Sequence, residues 1–148
     1  VVERRNHSYR VSYYEPPVGM DATIYEPKPD FRFSNDYTSP LLLQARIEGN
    51  NLIFEFYGTK DDRVAGTTTP RVFNVVRPGP KKIIETDTLP PGQTKCIEKP
   101  HNGSDAEFTY TVTYPNGETK KETFKSHYKP WQEVCLVGKA ATPKTETQ

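Results

Sequence analysis

The sequence predicts an all-β protein, and three observations carry that prediction. Fourteen prolines and nine glycines stand among 148 residues, and a proline inside a helix costs about 3 kcal/mol, so long helices are disfavoured. Only 33% of residues are hydrophobic and the mean hydropathy is −0.81. Much of the apolar area therefore comes from nine tyrosines and seven phenylalanines. Thr, Tyr, Val and Phe, which fit a pleated, half-buried surface, recur along the chain. The expected architecture is a small antiparallel β module, the end of a larger domain, followed by an extended single-layer β-sheet module.

Taken in order, Tyr9 to Tyr14 alternate apolar with polar and read as a strand stopped by Pro16 and Pro17. Met20 to Tyr25 is expected as a second short strand. Leu41, Leu43, Ala45 and Ile47 share one face, Gln44, Arg46 and Glu48 the other. The turn residues Gly49-Asn50 follow, and Leu52, Phe54 and Phe56 resume the apolar face, so this is a β-hairpin with one wet side. Residues 63–82 read as a connecting segment with one strand, Arg71 to Val76, broken by Arg77-Pro78-Gly79-Pro80. Phe108, Tyr110, Val112 and Tyr114 alternate with threonines, and Pro115-Asn116-Gly117 turns the chain. The returning strand, Glu118 to Phe124, has almost no aliphatic residue on either face, so the sheet is expected to be one layer, wet on both sides. Trp131 to Val137 is read as the last strand and residues 140–148 as a disordered polar tail.

The formal net charge is +1 with both signs interspersed, so the basic stripe of a nucleic-acid binder is missing. No apolar run reaches the roughly 18 residues of a membrane span. The chain begins with Val, so it is read as a processed product or a trimmed piece, with any export signal or anchor upstream. Cys96 and Cys135 are the whole thiol inventory. Either they pair, closing a loop of about 40 residues at a gain on the order of 4 kcal/mol, or they are two buried thiols; a disulfide would place the chain outside the cytosol. His101 and His127 have no close His or Cys partner, so neither a metal site nor a cofactor is expected.

Acid–base residues crowd at the start, in Glu3-Arg4-Arg5-Asn6-His7-Ser8 and Gly19-Met20-Asp21-Ala22-Thr23. Residues 3–58 carry these two motifs together with Val-Ser-Tyr-Tyr, Asp30-Phe31-Arg32-Phe33 and Ser39-Pro40-Leu41-Leu42-Leu43. They resemble the C-terminal end of a VanW-like domain, a family named for an accessory protein of vancomycin-resistance clusters. Residues 83–139 resemble the G-five domain, a small extracellular module that often follows it. The matching pieces are Leu89-Pro90-Pro91-Gly92-Gln93-Thr94-Lys95, Tyr110 to Gly117, and Val134-Cys135-Leu136-Val137-Gly138. On that basis residues 1–62 would complete a VanW-like domain and residues 83–139 would form the G-five-like sheet.

The resemblance implies an exported bacterial cell-envelope protein. Its expected partners are peptidoglycan or an N-acetylglucosamine-containing glycan, and the upstream remainder of its own protein. Tyr110, Tyr114, Tyr128 and Trp131 are read as exposed aromatics able to stack on sugar rings. His7 and Asp21 are candidate catalytic residues, base and orienting acid for a Cys nucleophile in the segment that precedes this motif in the family. The leading expectation for the chain itself is non-catalytic binding or positioning at the cell wall. The alternatives are the His/Asp-bearing part of a peptidoglycan-modifying thiol acyltransferase or hydrolase, and a structural stalk or surface-assembly subunit.

Overall fold

Local pairing chemistry accounts for most of the architecture. The structure, a computed structural model, describes residues 1–10 and 17–140. Among these residues there are nine strands and no helix. The chain is all-β, as the proline, threonine and aromatic content predicts.

Strands β1 (Leu42–Glu48) and β2 (Asn51–Tyr57) form the expected hairpin, with Leu43 opposite Phe56, Ala45 opposite Phe54 and Ile47 opposite Leu52. Gly49 turns it with a φ of 59°, a conformation glycine enters without a Cβ penalty. Arg46 reaches both Glu48 and Glu55 on the polar face. The apolar face is exposed throughout, Phe56 included, although its ring lies 5.7 Å from that of Phe33.

The second sheet is organised by the long strand β7 (Gly103–Thr113). One of its edges pairs with β8 (Thr119–Tyr128) over ten residue pairs. The other edge is shared end to end by β3 (Val64–Thr67) and β4 (Arg71–Val76), both antiparallel to β7. The segment 63–82 therefore holds two strands built into this sheet, where the sequence predicts one in a connector. Val64 to Thr67 carry no strand signal of their own because β3 is four residues long and its partner lies more than forty positions away. The β7–β8 turn is made by Asn116 and Gly117. Gly117 has φ 85°, and the Asn116 carboxamide oxygen accepts from the Glu118 amide at 2.9 Å.

The third sheet has the order β5-β9-β6, with β5 (Lys82–Thr86) parallel and β6 (Thr94–Glu98) antiparallel to the central β9 (Val134–Gly138). Trp131 makes only an isolated bridge to His101, so the last strand starts at Val134 rather than at Trp131. Cys96 lies directly opposite Cys135 and is bonded to it. Gly138 is required at the end of β9, because a Cβ there would sit 1.9 Å from the Pro90 carbonyl oxygen.

The core is small: Ala106, Phe108 and Val112 of β7, Tyr128 of β8 and Cys135 of β9. The first four share one face of the β7–β8 sheet, since strand side chains alternate. Among the described residues no second sheet stacks there. The N-terminal segment covers this face instead, so it is not wet on both sides as its polarity predicts. The expected strand over Met20 to Tyr25 does not form. Its amides make single bonds, Thr23 to the Arg5 carbonyl at 2.7 Å and Tyr25 to that of Pro29 at 2.8 Å, in place of a ladder. The predicted strand at 9–14 and the tail at 140–148 fall largely outside the described residues.

The Cys96–Cys135 bond closes a 39-residue separation across a sheet of three five-residue strands. The double replacement Cys96→Ser, Cys135→Ser should lower unfolding free energy by about 4 kcal/mol on the chain-entropy relation, read by denaturant titration. Unchanged stability would show that the sheet does not depend on the bond.

Candidate functional site

A dent in the sheet seats the N-terminal segment. Ala106 and Ser126 are register partners on β7 and β8, so two small side chains lie side by side between Phe108, Phe124 and Tyr128. The Val18–Gly19 turn fills that dent. Gly19 has φ 88°, a conformation that favours glycine, and a Cβ on it would lie a close 3.2 Å from the Ala106 Cβ. Its amide donates to the Tyr128 hydroxyl at 3.0 Å, and its carbonyl accepts from Ser126 Oγ at 3.3 Å.

Two residues on, Asp21 is 7% exposed. Its carboxylate accepts from the His7 amide at 2.7 Å, from His7 Nδ1 at 2.7 Å and from the Tyr128 hydroxyl. Burial by itself would raise the Asp21 carboxyl, but these three donors outweigh it and hold the group below its ordinary value of 3.8. An ionised carboxylate can only accept, so Nδ1 of His7 carries the proton, and Nε2 is the basic atom of the neutral ring. Tyr128 is pushed up to about 12, first by burial and then by its bond to Asp21. The strap continues with Asn6 Nδ2 donating to the His127 carbonyl at 2.8 Å and the Lys129 amide donating to the Ser8 carbonyl at 2.8 Å.

Beside the strap, the same sheet face forms the floor of a cleft of about 930 Å³. Phe108, Tyr110, Val112, Tyr114 and Phe124 come from the sheet, while Arg4, Met20, Phe31, Asp36 and Tyr37 come from the N-terminal region. Arg63 closes one end. Its guanidinium lies 3.8 Å from the Tyr37 ring centre and 5.0 Å from that of Tyr114. It is paired to Asp36 at 2.8 Å and to Asp61, so the stack joins both regions of the chain.

The four aromatics proposed from sequence are thus divided. Tyr110 and Tyr114 line the cleft together. Tyr128 is 2% exposed and bonded to Asp21, so it is not the exposed stacking platform the sequence predicts; the strap covers it. Trp131 stands apart, edge-on to Tyr9 at 4.3 Å. His7 and Asp21 are brought into contact as the motif spacing anticipates, with no thiol at hand, because both cysteines are in the disulfide. Among the described residues the one cluster of potential metal ligands, Cys96, Glu133 and Cys135, has those same two sulfurs bonded to each other. Tyr37, Asp36 and Arg63 were not singled out from sequence. Their only signal was an aromatic and two charges in turn-like stretches, and pairing across 27 residues is invisible there.

The pH dependence follows from these groups. The depressed Asp21 contributes stability that is present above the unfolded value near 3.8 and is lost as pH falls through the folded one. The raised Tyr128 contributes stability that is full below 10.0 and is lost as pH rises toward about 12. The Asp21 and Tyr128 contributions to strap docking are therefore both in full between about pH 4 and 10. Tyr128→Phe should lower stability by about 2 kcal/mol, the scale of a hydrogen bond to a charged group. Denaturant titration across pH, with His7 imidazole NMR reporting the strap, checks both. A His7 signal indifferent to Tyr128→Phe would refute the coupling.

Comparison with known proteins finds two family matches along the chain. The family described as "VanW like protein" matches residues 1–57, and the G5 domain, the G-five module, matches residues 68–140. The "Uncharacterized protein YoaR" of Bacillus subtilis (strain 168) is 39% identical over 59 residues, which is 40% of this chain and 19% of that protein. The chain thus spans about a fifth of the length of that curated relative. A solved structure titled "IgA1 Protease G5 domain structure" covers 57% of this chain and all of its own at 14% identity, with a TM-score of 0.33. The chain thus carries a VanW-like match over residues 1–57 followed by a G5 match over residues 68–140.

Proposed function

We propose that this chain is a cell-wall-associated binding protein, non-catalytic by itself, whose working surface is the cleft between the VanW-like segment and the G5 sheet. The carrying observation is that Tyr110, Tyr114, Tyr37 and Phe31 surround one cleft with Asp36, Lys120 and Glu122 on its walls. A sugar ring presents an apolar C–H face and a rim of hydroxyl and amide groups, and such a site answers both. Peptidoglycan or another N-acetylglucosamine-containing glycan is the ligand we assign. Both families are typical of bacterial cell-envelope or secreted proteins, and G5 domains are associated with glycan binding. The disulfide suits an oxidising compartment. In this reading β3 and β4 belong with the G5 module, so the module boundary falls near residue 63.

N-Acetylglucosamine oligomers titrated calorimetrically should bind saturably. Tyr110→Ala should weaken binding roughly tenfold, the scale of one buried aromatic contact, and Trp131→Phe, outside the cleft, should leave it unchanged. Absence of saturable binding to the unmodified protein would end this reading.

A second reading is favoured by one observation, the 2.7 Å contact of His7 Nδ1 with an ionised Asp21. That arrangement leaves Nε2 as a base, and it fits the His/Asp-bearing part of a thiol acyltransferase or hydrolase whose Cys lies elsewhere in a longer protein. In a longer form containing such a Cys, His7→Ala should abolish thiol-dependent hydrolysis or transpeptidation of peptidoglycan peptides. Full activity in that variant would exclude the role.

A further inference from the structure

The arginine that ties the strap to the sheet has donors left over, and the residue lines the cleft. Arg4 Nε donates to the Asp21 carbonyl at 2.9 Å, and Nη2 donates to the Gly19 carbonyl and to Ser126 Oγ at 3.0 Å. A guanidinium has five N–H donors, so these bonds use three and leave the two on Nη1. All three acceptors are neutral, and among the described residues no carboxylate pairs with Arg4. The group nevertheless is half-buried, lines the cleft and lies 5.8 Å from the Phe124 ring centre. A partly desolvated cation without a counter-ion stabilises an anion that arrives beside it. Lys120 lines the same cleft and is paired only at 3.7 Å with the exposed Glu118. On the acidic side Asp36 is already engaged by Arg63, which leaves Glu122 as the one unpaired carboxylate of the lining.

We infer that the cleft selects glycans carrying an oxyanion, and that Arg4 Nη1 is the subsite that receives it, with the sugar ring on Tyr110 and Tyr114. This inference rests on the glycan reading above and narrows it to acidic sugars. The shared chemistry is a carboxylate or a phosphate on an N-acetylated hexose.

The test compares four probes by calorimetry on the intact chain. They are neutral di-N-acetylchitobiose, the N-acetylglucosamine–N-acetylmuramic acid disaccharide, the methyl ester of that disaccharide, and N-acetylglucosamine 6-phosphate. An acidic probe should bind about tenfold more tightly than chitobiose, the scale of one charge-assisted hydrogen-bond pair. The advantage should vanish in the methyl ester and shrink with added salt. The muramic acid and 6-phosphate arms identify which oxyanion the subsite takes. Arg4→Gln should remove the advantage of the acidic probes over chitobiose, and Arg4→Lys should restore part of it. Unaltered His7 imidazole NMR signals show that a variant keeps its strap, and the ester comparison needs no variant. Equal affinity for chitobiose and both acidic probes overturns the anion subsite and leaves the glycan reading standing. No binding of any probe overturns both.

Discussion

The buried Asp21 carboxylate is the constraint around which the molecule is arranged. A carboxylate removed from water is tolerable only when donors replace its hydration, and here they come from opposite ends of the chain. The His7 amide and ring lie 14 positions away and the Tyr128 hydroxyl 107. Neither region can satisfy the charge alone. Docking of the N-terminal segment and completion of the sheet surface are therefore one event. Gly19 sets the geometry, because its positive φ of 88° turns the strap between Ala106 and Ser126 so that Asp21 meets Tyr128.

That docking accounts for how so polar a sheet acquires a core. β8 contributes lysines, threonines and a glutamate, and by itself it cannot exclude water from β7. The strap does so over Ala106, Phe108 and Tyr128, and farther along the same face it gives way to the cleft. The Tyr37–Arg63–Tyr114 stack ties the cleft's far end. The site is thus composite, with a floor of G5 strands and a wall from the VanW-like region. The β5-β9-β6 sheet, without any such cover, relies on a covalent bond between facing residues of β6 and β9.

Much of this was legible in the chain. The β1–β2 hairpin and the β7–β8 turn are local, written in two-residue periodicity and in Gly49, Asn116 and Gly117. The His7–Asp21 pair was legible through its motif. β5 and β6 were not, because five-residue strands without clean alternation find a partner, β9, only across the fold. Tyr128 was misread for a related reason. Its strand neighbours are polar, so nothing nearby in sequence reports that a glycine turn more than a hundred residues earlier would cover it.

By itself, then, the sequence determined the fold class, the hairpins, the residues able to form a disulfide and the acid–base motif, since each depends on composition or on neighbours a few positions apart. Only the tertiary structure decided which sheet face would be dry, where the aromatics would converge, and that Arg4 would hold a charge with no counter-ion among the described residues. Those outcomes depend on contacts between segments separated by as many as 122 residues, and no local pattern encodes the free energy of such a meeting.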